Sequence, residues 1–122
     1  MPGRALGIGG VFFKACDPQK LAEWYRKHLG VPLDPGQCYG TFKSTMANEV
    51  TVWSAFPSDT SYLGAAESQF MINYRVRNLD AMLNQLRAAG AEVDDRVEEY
   101  GYGRFGWATD PEGNRFELWE PR

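Results

Sequence analysis

Residues 10–30 read GVFFKACDPQKLAEWYRKHLG, and this stretch decides the fold. Its first part is apolar and aromatic behind paired glycines, which predicts a strand over residues 8–16. Asp17 then stands where a helix cap belongs, and Pro18 occupies the first helical position, where its missing N–H costs nothing. Leu21, Trp24, Tyr25, His28 and Leu29 recur at helical spacing and form one stripe. Gly30 supplies a left-handed stop and Pro32 forbids continuation.

The same plan recurs downstream. MINYRVRN at 71–78 repeats the strand-to-cap joint GVFFKACD at 10–17 with an offset of 61 residues. Asn78 caps a helix carrying Leu79, Met82, Leu83 and Leu86, and Gly90 ends it. Further strands fit near Leu33, at 39–43, 49–56, 69–77, 92–97, 104–109 and 115–120, with a turn at Asp110–Asn114. The closing strands align as ANEVTVW (47–53) on GNRFELW (113–119), an offset of 66 that matches Trp53 with Trp119. The reading is an α+β fold in a single domain over 1–122. It comprises two βαβββ modules, about 7–56 and 69–121, joined by the polar, aperiodic linker 57–68.

Composition narrows the function classes. With 122 residues the chain buries a core without help from disulfides or metals. A net charge of −3 argues against nucleic-acid partners, and no apolar run is long enough to span a membrane. Two cysteines, Cys16 and Cys38, form no disulfide framework or CxxC pair, so a reducing, cytoplasmic setting is expected.

Three ordered motifs carry a resemblance: D-x-x-x-L-x-x-W-Y-x-x-x-L-G at 17–30, N-L-D at 78–80 and D-P-E-G-N-x-x-E-L-W-E at 110–120. Together they resemble the vicinal-oxygen-chelate superfamily, which includes glyoxalases, extradiol dioxygenases, and bleomycin and fosfomycin resistance proteins. The resemblance implies that the two modules curl into a cup, and that the protein is a homodimer. It also implies four metal-ligand positions, which fall here on Gly10, Thr51, Met71 and Glu117. Only Glu117 is a ligand type suited to a divalent ion, so no metal and no cofactor are expected.

Candidate site residues follow from strand parity. Glu117 alternates with Phe116 and Leu118 and so takes the opposite face, which the resemblance implies is the inside of the cup, as a ligand anchor or as a general base with a raised pKa. Trp53 and Trp119 form an aromatic clamp if both face inward, with Phe12 beside them and Gly10 leaving room. Asn73 and Arg75 share the face of Met71 and offer an amide and a guanidinium to a ligand; Lys14 has a similar position. The glycine- and aromatic-rich stretch 97–107 is either a rim over the cup, with Tyr102 and Arg104 as contacts, or a hairpin packed on the sheet. Trp24, Tyr25 and His28 read as packing.

Three functions fit. One is a metal-independent protein that binds a small aromatic or cationic molecule. A second is a glyoxalase-like lyase or isomerase (less readily a dioxygenase) using Glu117 as base or as ligand of an unusual metal. The third is a structural or regulatory dimer.

Overall fold

The local chemistry of the caps builds the first helix as read. In the computed structural model, which describes residues 3–43 and 50–122, strand β1 (Gly7–Ala15) runs into Asp17, whose carboxylate accepts from the Lys20 N–H at 3.1 Å. Helix α1 (Pro18–Leu29) ends at Gly30, at φ 67°, with basic side chains in its last turn opposing the helix dipole. The molecule divides into two compact units, Gly10–Met71 and Met1–Gly9 with Ile72–Arg122.

In the first of these, β2 (Tyr39–Lys43) pairs antiparallel with β3 (Val50–Pro57), and β3 pairs parallel with β1. The strand expected near Leu33 is reduced to one bridge, Leu33 to Gly40. Gly40 permits it, since a side chain there would begin 2.2 Å from the Pro32 carbonyl. Glu49 of the expected strand, and Ala47 and Asn48 of the repeat alignment, lie outside the described residues.

Ala22, Val31 and Leu33 form the core beneath α1, with Tyr25, Cys38 and Trp53 packed against them. The stripe reading is corrected here. Trp24 is 52% exposed and His28 is exposed, while Ala22 and Tyr25 seat the helix. Trp24 still touches Tyr25 on one side and His28 on the other.

The other unit holds β4 (Phe70–Arg75) from Ile72 onward, α2 (Leu79–Ala88), β5 (Glu92–Val93), β6 (Glu98–Tyr100), β7 (Gly103–Thr109) and β8 (Arg115–Pro121). The order is β4-β8-β7-β5, with β4 parallel to β8, β7 antiparallel to β8, and β6 turning back on β7. Leu79, Met82 and Leu83 of α2 bury against Val76 and Leu118. Each such fully buried side chain contributes roughly 1.5–3 kcal/mol. Asn78 caps α2 at Ala81 N–H, 3.1 Å. The Leu79 N–H donates to Glu120 Oε1 at 2.8 Å, so the end of β8 serves as a second cap.

The strand read as continuous over 92–97 is broken. Asp94 accepts from the Arg96 N–H at 2.9 Å, a local side-chain turn that competes with the ladder. Stretch 97–107 is the hairpin rather than an open rim, with Tyr100 opposite Gly103 across a two-residue turn. The terminal residues of this unit are tied in as well. Leu6 N–H donates to the Arg75 carbonyl at 2.8 Å, and Gly3 exchanges two hydrogen bonds with the Gln85 amide. The α+β class and the strand–helix–strands order of each module stand as read. No described helix is long and apolar enough to cross a membrane.

Candidate functional site

Strand parity gives each unit a face turned from its helix. On β8, Phe116 and Leu118 pack toward α2 while Glu117 and Trp119 point the other way. Their register partners on β7, Trp107 and Phe105, and on β4, Asn73 and Arg75, share that face.

Glu117 is the centre of this face and is only 2% exposed. Asn73 Nδ2 donates to its Oε1 at 2.6 Å, and the Trp107 indole N–H donates to its Oε2 at 2.9 Å. Burying a carboxylate is costly unless its oxygens are hydrogen-bonded, and two rigid donors from neighbouring strands meet that need. Arg96 and Arg115 lie over the Trp107 ring, at 5.3 and 5.6 Å from its centroid. Asn73 is also 2% exposed, and its Oδ1 accepts no hydrogen bond among the described residues. That oxygen sits 2.1 Å from where a Gly9 side chain would start, so Gly9 is there to let the amide pass.

Trp119 is 6% exposed. It stacks on Phe105 with centroids 5.8 Å apart and planes 7° apart, and its indole N–H donates to the Tyr102 carbonyl at 3.1 Å. Arg75 pairs with it in register and donates from Nη1 to the Ile8 carbonyl at 2.7 Å. Arg75 Cγ and Trp119 Cε3 lie 3.1 and 3.0 Å from the same point above Gly9, so the arginine stem flanks the indole.

Tyr102 and Tyr100 stack at the exposed hairpin tip with centroids 5.4 Å apart. The Tyr100 hydroxyl donates to Glu98 at 2.6 Å, and this bond holds its pKa above the usual phenol range. Arg104 is placed elsewhere than expected. It grips Asp80 with two bonds of 3.0 and 3.2 Å and meets Glu99 at 2.8 Å and Glu120 at 3.9 Å. Its bond to Asp80 holds that carboxyl below the usual range. The guanidinium clasps the start of α2 rather than an open site.

In the Gly10–Met71 unit the corresponding face carries Phe12, Lys14, Ser54 and Phe56, which are register partners. Phe12 and Phe56 touch with centroids 5.4 Å apart. Trp53 points the opposite way, against Phe13 and Tyr25 beneath α1. The sequence alignment of the closing strands is therefore out of step, and the register corrects it. The partner lies 42 residues on in one unit (Gly10 with Val52) and 44 in the other (Asn73 with Glu117). The caps Asp17 and Asn78 keep the offset of 61, so Asn73 corresponds to Phe12, and Glu117 corresponds to Ser54 rather than Thr51. Likewise Trp119 corresponds to Phe56, and Arg75 to Lys14.

This correction bears on metal chemistry. The family positions become Gly10, Ser54, Met71 and Glu117, which are no side chain, a hydroxyl, a thioether and a carboxylate already bonded to two N–H donors. Such a set does not fit a divalent site, and the described residues contain no cluster of three or more His, Cys, Asp or Glu. Sequence reasoning missed Trp107 and Phe56. The five-residue turn at Asp110–Asn114 was the available signal for Trp107, since closing that hairpin sets Trp107 opposite Glu117.

Comparison with known proteins agrees with this fold. No curated protein matches the sequence. Methylmalonyl-CoA epimerase from Mycobacterium tuberculosis is similar over 97% of this chain and 89% of its own, at 20% identity and a TM-score of 0.66. A variant of the Streptomyces coelicolor methylmalonyl-CoA epimerase, in complex with 2-nitronate-propionyl-CoA, covers 95% and 97% at 16% identity and a TM-score of 0.70. A glyoxalase/bleomycin resistance protein/dioxygenase superfamily member from Vibrio splendidus covers 89% and 94% at 13% identity and a TM-score of 0.57. At such identities the likeness speaks for the fold and not for a reaction. The family model described as Glyoxalase-like domain matches residues 10–119, so the chain belongs to the glyoxalase-like domain family of the vicinal-oxygen-chelate superfamily.

Proposed function

We propose that the protein binds a small planar molecule bearing an acidic group, as a metal-independent member of its family. One observation carries this reading. Each unit repeats a cation beside an aromatic ring on its helix-free face: Arg75 with Trp119, and Lys14 with Phe56. A ring packs on the aromatic, and a carboxylate or phosphate accepts from the cation in a charge-assisted bond. A cationic ligand loses its support, because the Glu117 carboxylate is spent on Asn73 and Trp107. Trp53 drops out of the candidate site, since its ring lies under α1.

A lyase or isomerase using Glu117 as base is the second reading, favoured by the near-complete burial of that carboxylate. The homodimer also belongs to the proposal. Tyr39 and Phe42 are 48% and 46% exposed on β2, which has β3 as its strand partner within its unit, and light scattering tests it.

The ligand reading is tested with 2-naphthoate and neutral 2-naphthamide by thermal shift and calorimetry. Binding of the acid that exceeds binding of the amide, and that falls with Arg75→Met, is the expected result. Equal binding of both, or of neither, overturns it.

A further inference from the structure

Of the two cation–aromatic pairs, the one in the Gly10–Met71 unit is covered by the chain itself. After β3 the backbone makes three successive turns, closed by Thr60 N–H to Pro57 O, Gly64 N–H to Ser61 O and Ser68 N–H to Ala65 O, at 3.1, 3.2 and 2.9 Å. The first turns lay Tyr62 on Phe56, centroids 5.4 Å apart and planes 8° apart. The last brings the Ala66 carbonyl to Lys14 Nζ at 2.8 Å. Leu63 between them is fully buried. Most of the remaining side chains of the segment (Ser58, Asp59, Ser61, Ala65, Glu67) are exposed.

Building on the ligand reading above, we propose that Lys14 and Phe56 form a binding site for a planar aromatic acid, held shut by residues 57–69. The Tyr62 ring and the Ala66 carbonyl stand in for the ring and acidic group of the ligand. The exchange is favourable for a physical reason. One stacked ring replaces another at little net change, while a neutral carbonyl on the lysine ammonium gives way to a carboxylate, a stronger acceptor for a cation. A neutral ring gains nothing from Lys14 and leaves the segment in place. Because the turns are closed by bonds within the segment, it swings aside without losing them, and the backbone bond it gives up is that from the Lys14 N–H to the Gln69 carbonyl at 2.9 Å. Opening exposes Leu63, a cost that the carboxylate's gain at the ammonium must outweigh, and reburial of this side chain returns the segment when the ligand leaves.

The test titrates 2-naphthoate and 2-naphthamide into wild type, and into Arg75→Met with and without Tyr62→Ala. A cooperative melt confirms that each variant is folded. Removing the internal ring raises the open fraction, so Tyr62→Ala should tighten naphthoate binding about two- to tenfold. Adding Lys14→Met should abolish that gain for the acid and leave the amide unchanged. In wild type, saturating naphthoate should speed hydrogen exchange at the Lys14 amide, whose bond to the Gln69 carbonyl at 2.9 Å is given up when the segment leaves. Should Tyr62→Ala fail to fold, this exchange measurement decides, and unchanged or slowed exchange overturns the proposal. Unchanged or weaker binding in Tyr62→Ala, with Arg75-dependent binding intact in wild type, overturns the closing segment and leaves the ligand reading standing. No naphthoate binding to any of these proteins overturns both.

Discussion

Trp107 donates its indole N–H to Glu117 over 2.9 Å, and the two are register partners across β7 and β8. With Asn73 as the second donor, from β4, the carboxylate fastens three strands of one unit at a single buried point. Glu117→Ala strands two buried donors and should destabilise by about 3–5 kcal/mol, and Trp107→Phe by about 1–3 kcal/mol. Urea unfolding measures both. If Glu117 is instead a catalytic base, Glu117→Gln spares ligand binding and abolishes turnover of whatever substrate a screen identifies.

Gly9 and Gly101 should respond oppositely to a methyl group. An alanine side chain at Gly9 would start 2.1 Å from Asn73 Oδ1 and 3.0 Å from the Trp119 ring, whereas at Gly101 nothing lies within 4 Å. Gly9→Ala should cost about 1–3 kcal/mol, as overpacking does, and Gly101→Ala should fall within about 0.5 kcal/mol of wild type. Thermal melts of the two variants side by side make the comparison.

Stability should fall in acid, and the sign follows from three aspartates. The Arg104 bond lowers the Asp80 pKa. The Arg96 N–H, followed by the Arg115 guanidinium, lowers that of Asp94, and the Asn114 side chain lowers that of Asp110. Each folded-state value lies below the unfolded one, so the unfolded chain binds protons first as pH drops. The contribution is complete above the ordinary aspartate value of about 3.9 and disappears as pH falls through the depressed folded values. Urea midpoints between pH 6 and pH 2 should show this decline, and Asp94→Asn should flatten part of it.

Trp53 separates packing from binding. Its ring contacts Phe13 and Tyr25 beneath α1, so Trp53→Leu should cost about 1–3 kcal/mol of stability while leaving naphthoate affinity unchanged. A loss of affinity at full stability would return this residue to the ligand face.

The legible parts of the fold were those written in local chemistry. Asp17, Pro18, Gly30 and Asn78 act on the backbone within a few residues of themselves, and each does what its type dictates. The alternation around Glu117 fixed its face for the same reason. Register across strands was not local and misled the alignment of the two halves. Identical Trp53 and Trp119 invited a match three positions from the structural one, and an odd slip sends every side chain to the other face. The true difference between the modules is two residues, which preserves the faces. Arg104 was misplaced because its partners Asp80, Glu99 and Glu120 come together only in the fold.

The tie between Leu6 and Arg75, with that between Gly3 and Gln85, sets an order on assembly. The Gly10–Met71 unit is a continuous piece of chain, complete once its last residue has been synthesised. Residues 3–9 belong to the other unit, whose final strand carries Glu117 and the second cap of α2. On the ribosome, at about 5–20 residues per second, residues 3–9 therefore wait several seconds for their partners. Closing that long loop is the entropically slow step, so the unit holding residues 3–9 forms after the Gly10–Met71 unit.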